Sequence, residues 1–96
     1  MQSLSLKTDK PLDADKFFPW IQDLVAKDGP DILRTKGILS FKSDPDRFVF
    51  QGVHMILDGD HQRPWGADEK RDSRLVFIGR KLDEDKIRKG FESCIA

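Results

Sequence analysis

The chain has 96 residues with 17 basic and 17 acidic side chains, a single cysteine and 38% hydrophobic residues. One domain is the limit at this length, with a core but little room for a deep internal pocket. Balanced charge removes any global attraction to nucleic acid or anionic lipid. One cysteine excludes an internal disulfide and fits a reducing compartment. The N-terminal MQSLSLK has no apolar run of signal-peptide length, and no stretch could span a bilayer, so a soluble, cytoplasmic protein is expected.

Ser3 to Lys7 alternates polar and apolar, as a half-buried strand does. TDKPLDAD follows as a turn, and Asp13 or Asp15 is placed to cap a helix. Phe17, Phe18, Ile21, Leu24 and Val25 recur at helical spacing. Pro19 interrupts that stripe, which predicts a kink or a helix starting near Phe18. Asp28-Gly29-Pro30 predicts its end, with Gly29 in a left-handed cap. Asp31 to Arg34 reads as a short turn, Lys36 to Lys42 as a second strand, and SDPD (43–46) as a hairpin connection. RFVFQGVHMIL (47–57) reads as a third strand, buried on both faces and interior to the sheet. In it Phe48, Phe50, Gly52, His54 and Ile56 share one face, and Gly52 marks a bulge or a close approach. Residues 58 to 73 read as a polar loop. RLVFIGR (74–80) is a fourth, central strand. Leu82, Ile87, Phe91 and Cys94 mark a final amphipathic helix capped by Asp83.

The order β-α-β-β-β-α, with one apolar stripe per helix, predicts an α+β two-layer sandwich. The sheet is four-stranded and mainly antiparallel, with both helices on one face, in a ferredoxin-like arrangement whose strand order is not readable.

No catalytic constellation emerges. No serine sits in a G-x-S-x-G elbow, and Cys94 falls on the apolar stripe of the last helix. No glycine-rich loop ends in Lys-Ser or Lys-Thr, so this chain is not expected to hydrolyse a nucleotide. His54, Asp58, Asp60 and His61 are the only candidate metal ligands. They lack zinc or calcium spacing, and a solvated loop is the simpler reading. Arg34, Lys36, Arg47, Arg74 and Arg80 bracket the strands. They either snorkel at sheet edges or form a rim that pairs with a partner's carboxylates. Trp65, in RPWG, either tucks onto the core or anchors an interface.

DILRTKGIL (31–39), RFVFQGVH (47–54), Trp65 and SRLVFIGRKLD (73–83), in this order, resemble the C-terminal domain of the CobW family. These are cytoplasmic P-loop GTPases linked to cobalamin synthesis and to zinc or cobalt delivery. The resemblance runs from about Ser3 to Cys94. It implies a single domain over residues 1–96, excised from a longer GTPase whose nucleotide site and Cys-rich metal motif lie in an N-terminal domain. GTP, Mg and zinc or cobalt are implied for that parent and none for this chain. A His-rich linker found in some members is missing here. The implied partners are the chain's own GTPase domain and a client metalloprotein, with contact carried by Arg34, Lys36, Gln51, His54, Trp65, Arg74 and Arg80. Nucleic acid and membrane are not among the expected partners, and self-association through a sheet face or edge is possible. The competing expectation is a small metal-binding module built on His54, His61, Asp58 and Asp60.

Overall fold

The computed structural model describes residues 2–42, 44–53 and 56–96. Five strands and two helices follow one another as β1 (Gln2–Thr8), α1 (Ala14–Asp28), β2 (Ile32–Leu39), β3 (Asp46–Val53), β4 (Ile56–Pro64), β5 (Ser73–Gly79) and α2 (Glu84–Glu92). The sheet order is β1-β5-β2-β3-β4, and every neighbouring pair is antiparallel. β1 and β2 therefore run the same way, with β5 inserted between them and α1 crossing over: a split β-α-β unit.

α1 starts at Ala14, four residues earlier than the Pro19 argument suggested. The Asp13 carboxylate accepts a 2.9 Å hydrogen bond from the Asp15 N–H and satisfies one orphan donor of the first turn. Pro19 lies within the helix and removes one main-chain bond without ending it. The compensation is aromatic. Phe17 meets Phe18, Phe41 and Phe50 edge-on at 5.4, 5.8 and 5.6 Å between ring centres. All seven phenylalanines of the chain lie on this helix-covered side, Phe18 only partly buried. The helix does not end in a left-handed glycine. Gly29 keeps right-handed φ and ψ of −51° and −42°, and Lys81, at φ 51°, is the one described residue with positive φ.

β2 begins at Ile32, where a turn was expected. A register shift between Ile32 and Arg34 turns both Ile32 and Thr35 toward the helices, although an odd spacing separates them. No such shift occurs at Gly52, which pairs regularly with Thr35 and Leu57. Its role is close approach: a Cβ there would sit 2.9 Å from a Leu57 methyl.

Two further expectations change together. The string RFVFQGVHMIL is not one strand. It is the end of a hairpin, with β3 stopping at Val53 and β4 starting at Ile56; His54 and Met55 lie outside the described residues. Residues 58–64, expected as loop, complete β4 as a fifth, edge strand. β4 was illegible because an edge strand half open to water needs no alternating apolar residues, and DGDHQRP offers none.

The placement of β5 between β1 and β2 agrees with its LVFI run, and α2 starts at the expected cap, Asp83, which accepts from the Lys86 N–H at 3.1 Å. The chain ends tie together beneath the first turn, through Asp13 N–H to the Cys94 carbonyl (2.7 Å) and Ala96 N–H to the Pro11 carbonyl (3.0 Å).

A helix-free sheet face with two unlike halves

Both helices cover one face of the sheet, which leaves the other to be built by side chains alone. The strand register places these in rows. Ser3, Ile78, Arg34, Val53 and Ile56 form one; Ser5, Val76, Lys36, Gln51 and Asp58 the next; Lys7, Arg74, Ile38, Val49 and Asp60 the third. Gln51, odd in an apolar strand, stands between Lys36 and Asp58 in the polar end of its row. His54 lies outside the described residues.

Beyond the third row the face is closed by residues 63 to 72. Trp65 is only 8% exposed yet lies outside the helix-side core. It does tuck back, but onto the opposite side of the sheet. The Arg47 guanidinium sits 5.4 Å from its ring centre. Glu69 fastens this arrangement. Its carboxylate accepts from both terminal nitrogens of Arg63 (2.9 and 3.0 Å), from the Gly66 N–H (3.0 Å) and from Arg47 Nη1 (3.4 Å). The Arg63 hydrogen bonds, seconded by Gly66, hold the Glu69 carboxyl down at about 2. Sequence reasoning missed Arg63 and Glu69, since nothing in a six-residue separation within a polar stretch announces a clasp. Arg47 Nε and the Trp65 indole N–H remain buried without a hydrogen-bond partner among the described residues.

The other half of the face is bare. Val53 and Ile56 are 51% and 77% exposed, which corrects the reading of this stretch as wholly buried. Beside them Arg34, Lys36, Val76 and Ile78 line a shallow depression of about 260 Å3. Arg34, Lys36, Gln51 and Arg74 thus share one face with Val53, Ile56 and Ile78. Arg80 follows β5 and is anchored by its N–H to the Asp31 carbonyl at 2.7 Å, so it belongs to the sheet end.

The described candidate metal ligands, Asp58, Asp60 and His61, do not converge, and the fourth, His54, lies outside the described residues. Asp58 and Asp60 project from the helix-free face. His61 projects from the other, stacked edge-on against Phe48 at 5.4 Å and hydrogen-bonded to Asp44 at 2.7 Å. Asp44 is itself held below its ordinary range, chiefly by the Asp46 N–H and then by His61. No three His, Cys, Asp or Glu side chains gather among the described residues. Cys94 is buried, its thiol bonded to the Gly90 carbonyl at 3.3 Å and pushed up by burial, the reverse of what a metal thiolate needs. The described residues therefore form no zinc or cobalt centre. No helix among the described residues is long and apolar enough to cross a membrane.

The profile of the cobalamin synthesis protein cobW C-terminal domain matches residues 1–95. The chain belongs to the CobW C-terminal domain family. Among its relatives, the zinc chaperone YjiA of Escherichia coli is 37% identical over 91 residues, 95% of this chain and 28% of that protein. The zinc chaperone CobW of Pseudomonas aeruginosa is 41% identical over 66 residues, 69% of this chain and 18% of that one. The crystal structure of Zn(II)-bound YjiA GTPase from E. coli superposes with a TM-score of 0.94 at 36% identity, covering 99% of this chain and 30% of that one. This CobW C-terminal domain thus spans less than a third of the length of the relatives it matches, and the rest of the YjiA GTPase has no counterpart in these 96 residues.

Proposed function

We propose that this domain is the protein-contacting accessory module of a CobW-like, GTP-dependent metallochaperone. It docks through the bare half of its helix-free face on the GTPase domain or on a client metalloprotein. GTP hydrolysis and zinc or cobalt handling reside in the remainder of such a polypeptide, in the cytoplasm, and this domain contributes contact without chemistry of its own. The observation that carries the reading is the exposed Val53–Ile56 pair at the end of a row that also holds Arg34 and Ile78. An apolar centre with a cationic border is how a protein interface is built, and exposed side chains as large as Ile56 otherwise favour aggregation. The two aspartates of β4, Asp58 in the row of Lys36 and Asp60 in that of Arg74, make the face two-signed, which favours one docking orientation.

Calorimetric titration of the 96-residue chain with a CobW-type GTPase domain supplied in trans tests this. Ile56→Asp and Arg34→Glu should each weaken binding at least tenfold, Gln51→Ala less, with melting temperatures within a few degrees of the parent. Binding left unchanged by both Ile56→Asp and Arg34→Glu would remove the bare half from the interface.

A further inference from the structure

The clasped half of the same face encloses a cavity of about 390 Å3 beneath residues 65–72. Its lining divides by chemistry. Ile38 and the Trp65 ring supply an apolar floor, while Lys7, Arg47, Lys70 and Arg74 supply positive charge against two carboxylates, Glu69 and Asp72. Both carboxylates are already engaged. Glu69 accepts four hydrogen bonds, three of them from Arg63 and Gly66 outside the cavity wall. One Asp72 oxygen receives both Lys7, at 3.9 Å, and Arg74, at 3.5 Å. Lys70 forms no ion pair among the described residues, and Arg47 has only the long 3.4 Å contact to Glu69. Two of the lining residues also carry buried donors, Arg47 Nε and Trp65 Nε1, with no acceptor among the described residues. Four cations over two anions, with two orphaned N–H groups, describe a place where the protein's own acceptors run out.

We propose that this cavity is a binding site for an organic anion, a carboxylate carried on an apolar stem. The carboxylate lies among Lys70, Arg47 and Arg74 and the stem lies on Ile38 and Trp65. The volume falls within the range of small-ligand sites, ~300–1,000 Å3, and the mix of an apolar floor with a few convergent polar groups is their usual composition. A hydrated inorganic ion would leave that floor uncovered. The same chemistry is offered by a free organic acid and by a glutamate side chain in a protein segment. The site adjoins the docking face proposed above and borrows Arg74 from its charged residues, but its apolar floor, Ile38 and Trp65, and its cation Lys70 are its own.

The two tryptophans give two indole N–H resonances, Trp65 in the cavity wall and Trp20 in the helix-side core, so each probe has an internal control. Nitrogen-15-labelled protein is titrated at constant ionic strength with hexanoate, with the capped tripeptide acetyl-Ala-Glu-Leu-amide, and with inorganic phosphate. The expected result is a saturable shift of the Trp65 indole with hexanoate or the peptide, while Trp20 stays in place. Lys70→Glu should weaken that response at least tenfold with both resonances intact in the unliganded spectrum. Arg74→Gln should weaken it severalfold. A response to hexanoate alone identifies a free organic acid as the ligand, and a response to the peptide alone identifies a side-chain carboxylate; either supports the site. The proposal fails if neither organic probe moves Trp65, if Lys70→Glu titrates like the parent, or if phosphate binds as tightly as the stemmed anions.

Discussion

Ser73 shows how much a single buried polar atom decides here. It is fully buried, and its hydroxyl accepts the Ser40 N–H at 2.8 Å, tying the start of β5 to the end of β2. Ser73→Ala leaves that N–H with no acceptor and no water. The expected loss is about 1–3 kcal/mol, read as a lower denaturation midpoint at unchanged slope. Glu69 makes a second prediction at this scale. Its carboxyl is held at about 2 in the folded chain against an ordinary 4.5. A depressed acid contributes its stabilisation fully above its ordinary value and loses it as pH falls toward the folded one. The clasp should therefore loosen between pH ~4.5 and ~2. Trp65 emission should shift to the red over that window, and a Glu69→Gln variant should show a shifted Trp65 signal already at neutral pH. An unshifted Trp65 in the acid titration would mean that packing, not Glu69, holds the indole.

At the scale of elements, α1 and α2 meet through Trp20, whose ring packs against Phe77 and Phe91 with centres 6.5 and 6.4 Å away. The indole also lies directly on Gly90, where a Cβ would overlap it. Gly to Ala inside a helix ordinarily gains up to about 1 kcal/mol. Here the sign should reverse: Gly90→Ala forces the indole out of its aromatic neighbours and costs ~1–3 kcal/mol, measured by thermal unfolding. The helices, the central β5 and the alternating edge strand β1 are the elements that the sequence made legible. Ile87 and Phe91 sit one turn apart and are both buried, and the LVFI run did become a strand flanked on both sides. Legibility ends at the second edge, which lacks the buried leucines of β1. β4 carries Asp58, Gly59, Asp60 and Pro64, the residues of a loop, because most of its side chains stand open to water. Gly59 is there for space, since the Phe48 ring lies over it. The division of this string into β3 and β4 was hidden for the opposite reason: Val53 and Ile56 look like core residues, yet they are apolar and exposed. Apolar pattern reports burial only when nothing else, such as a docking partner, calls for the side chain.

For the whole molecule the governing asymmetry is between the two faces of one sheet. One is sealed by two helices and seven phenylalanines. The other is half closed by Trp65 and its clasp and half left as a row of exposed side chains along an elongated body 39 Å in its longest dimension. The relatives this chain matches are more than three times as long, and the proposed docking uses the open half of this second face. Of the residues singled out from sequence, Arg34, Lys36, Gln51 and Arg74 share that face, Trp65 closes its far end, and Arg80 lies at the sheet end. Their convergence could not be read along the chain, because it depends on β5 lying between β1 and β2. Side-chain footprinting of the complex with a CobW-type GTPase domain, by carbene labelling and mass spectrometry, tests the docking claim most directly. The account predicts strong protection of Val53, Ile56 and Ile78, with exposed residues of the helix layer such as Gln22 and Arg88 labelled as in the free chain. Protection confined to the helix layer, with Ile56 still fully labelled, would contradict it.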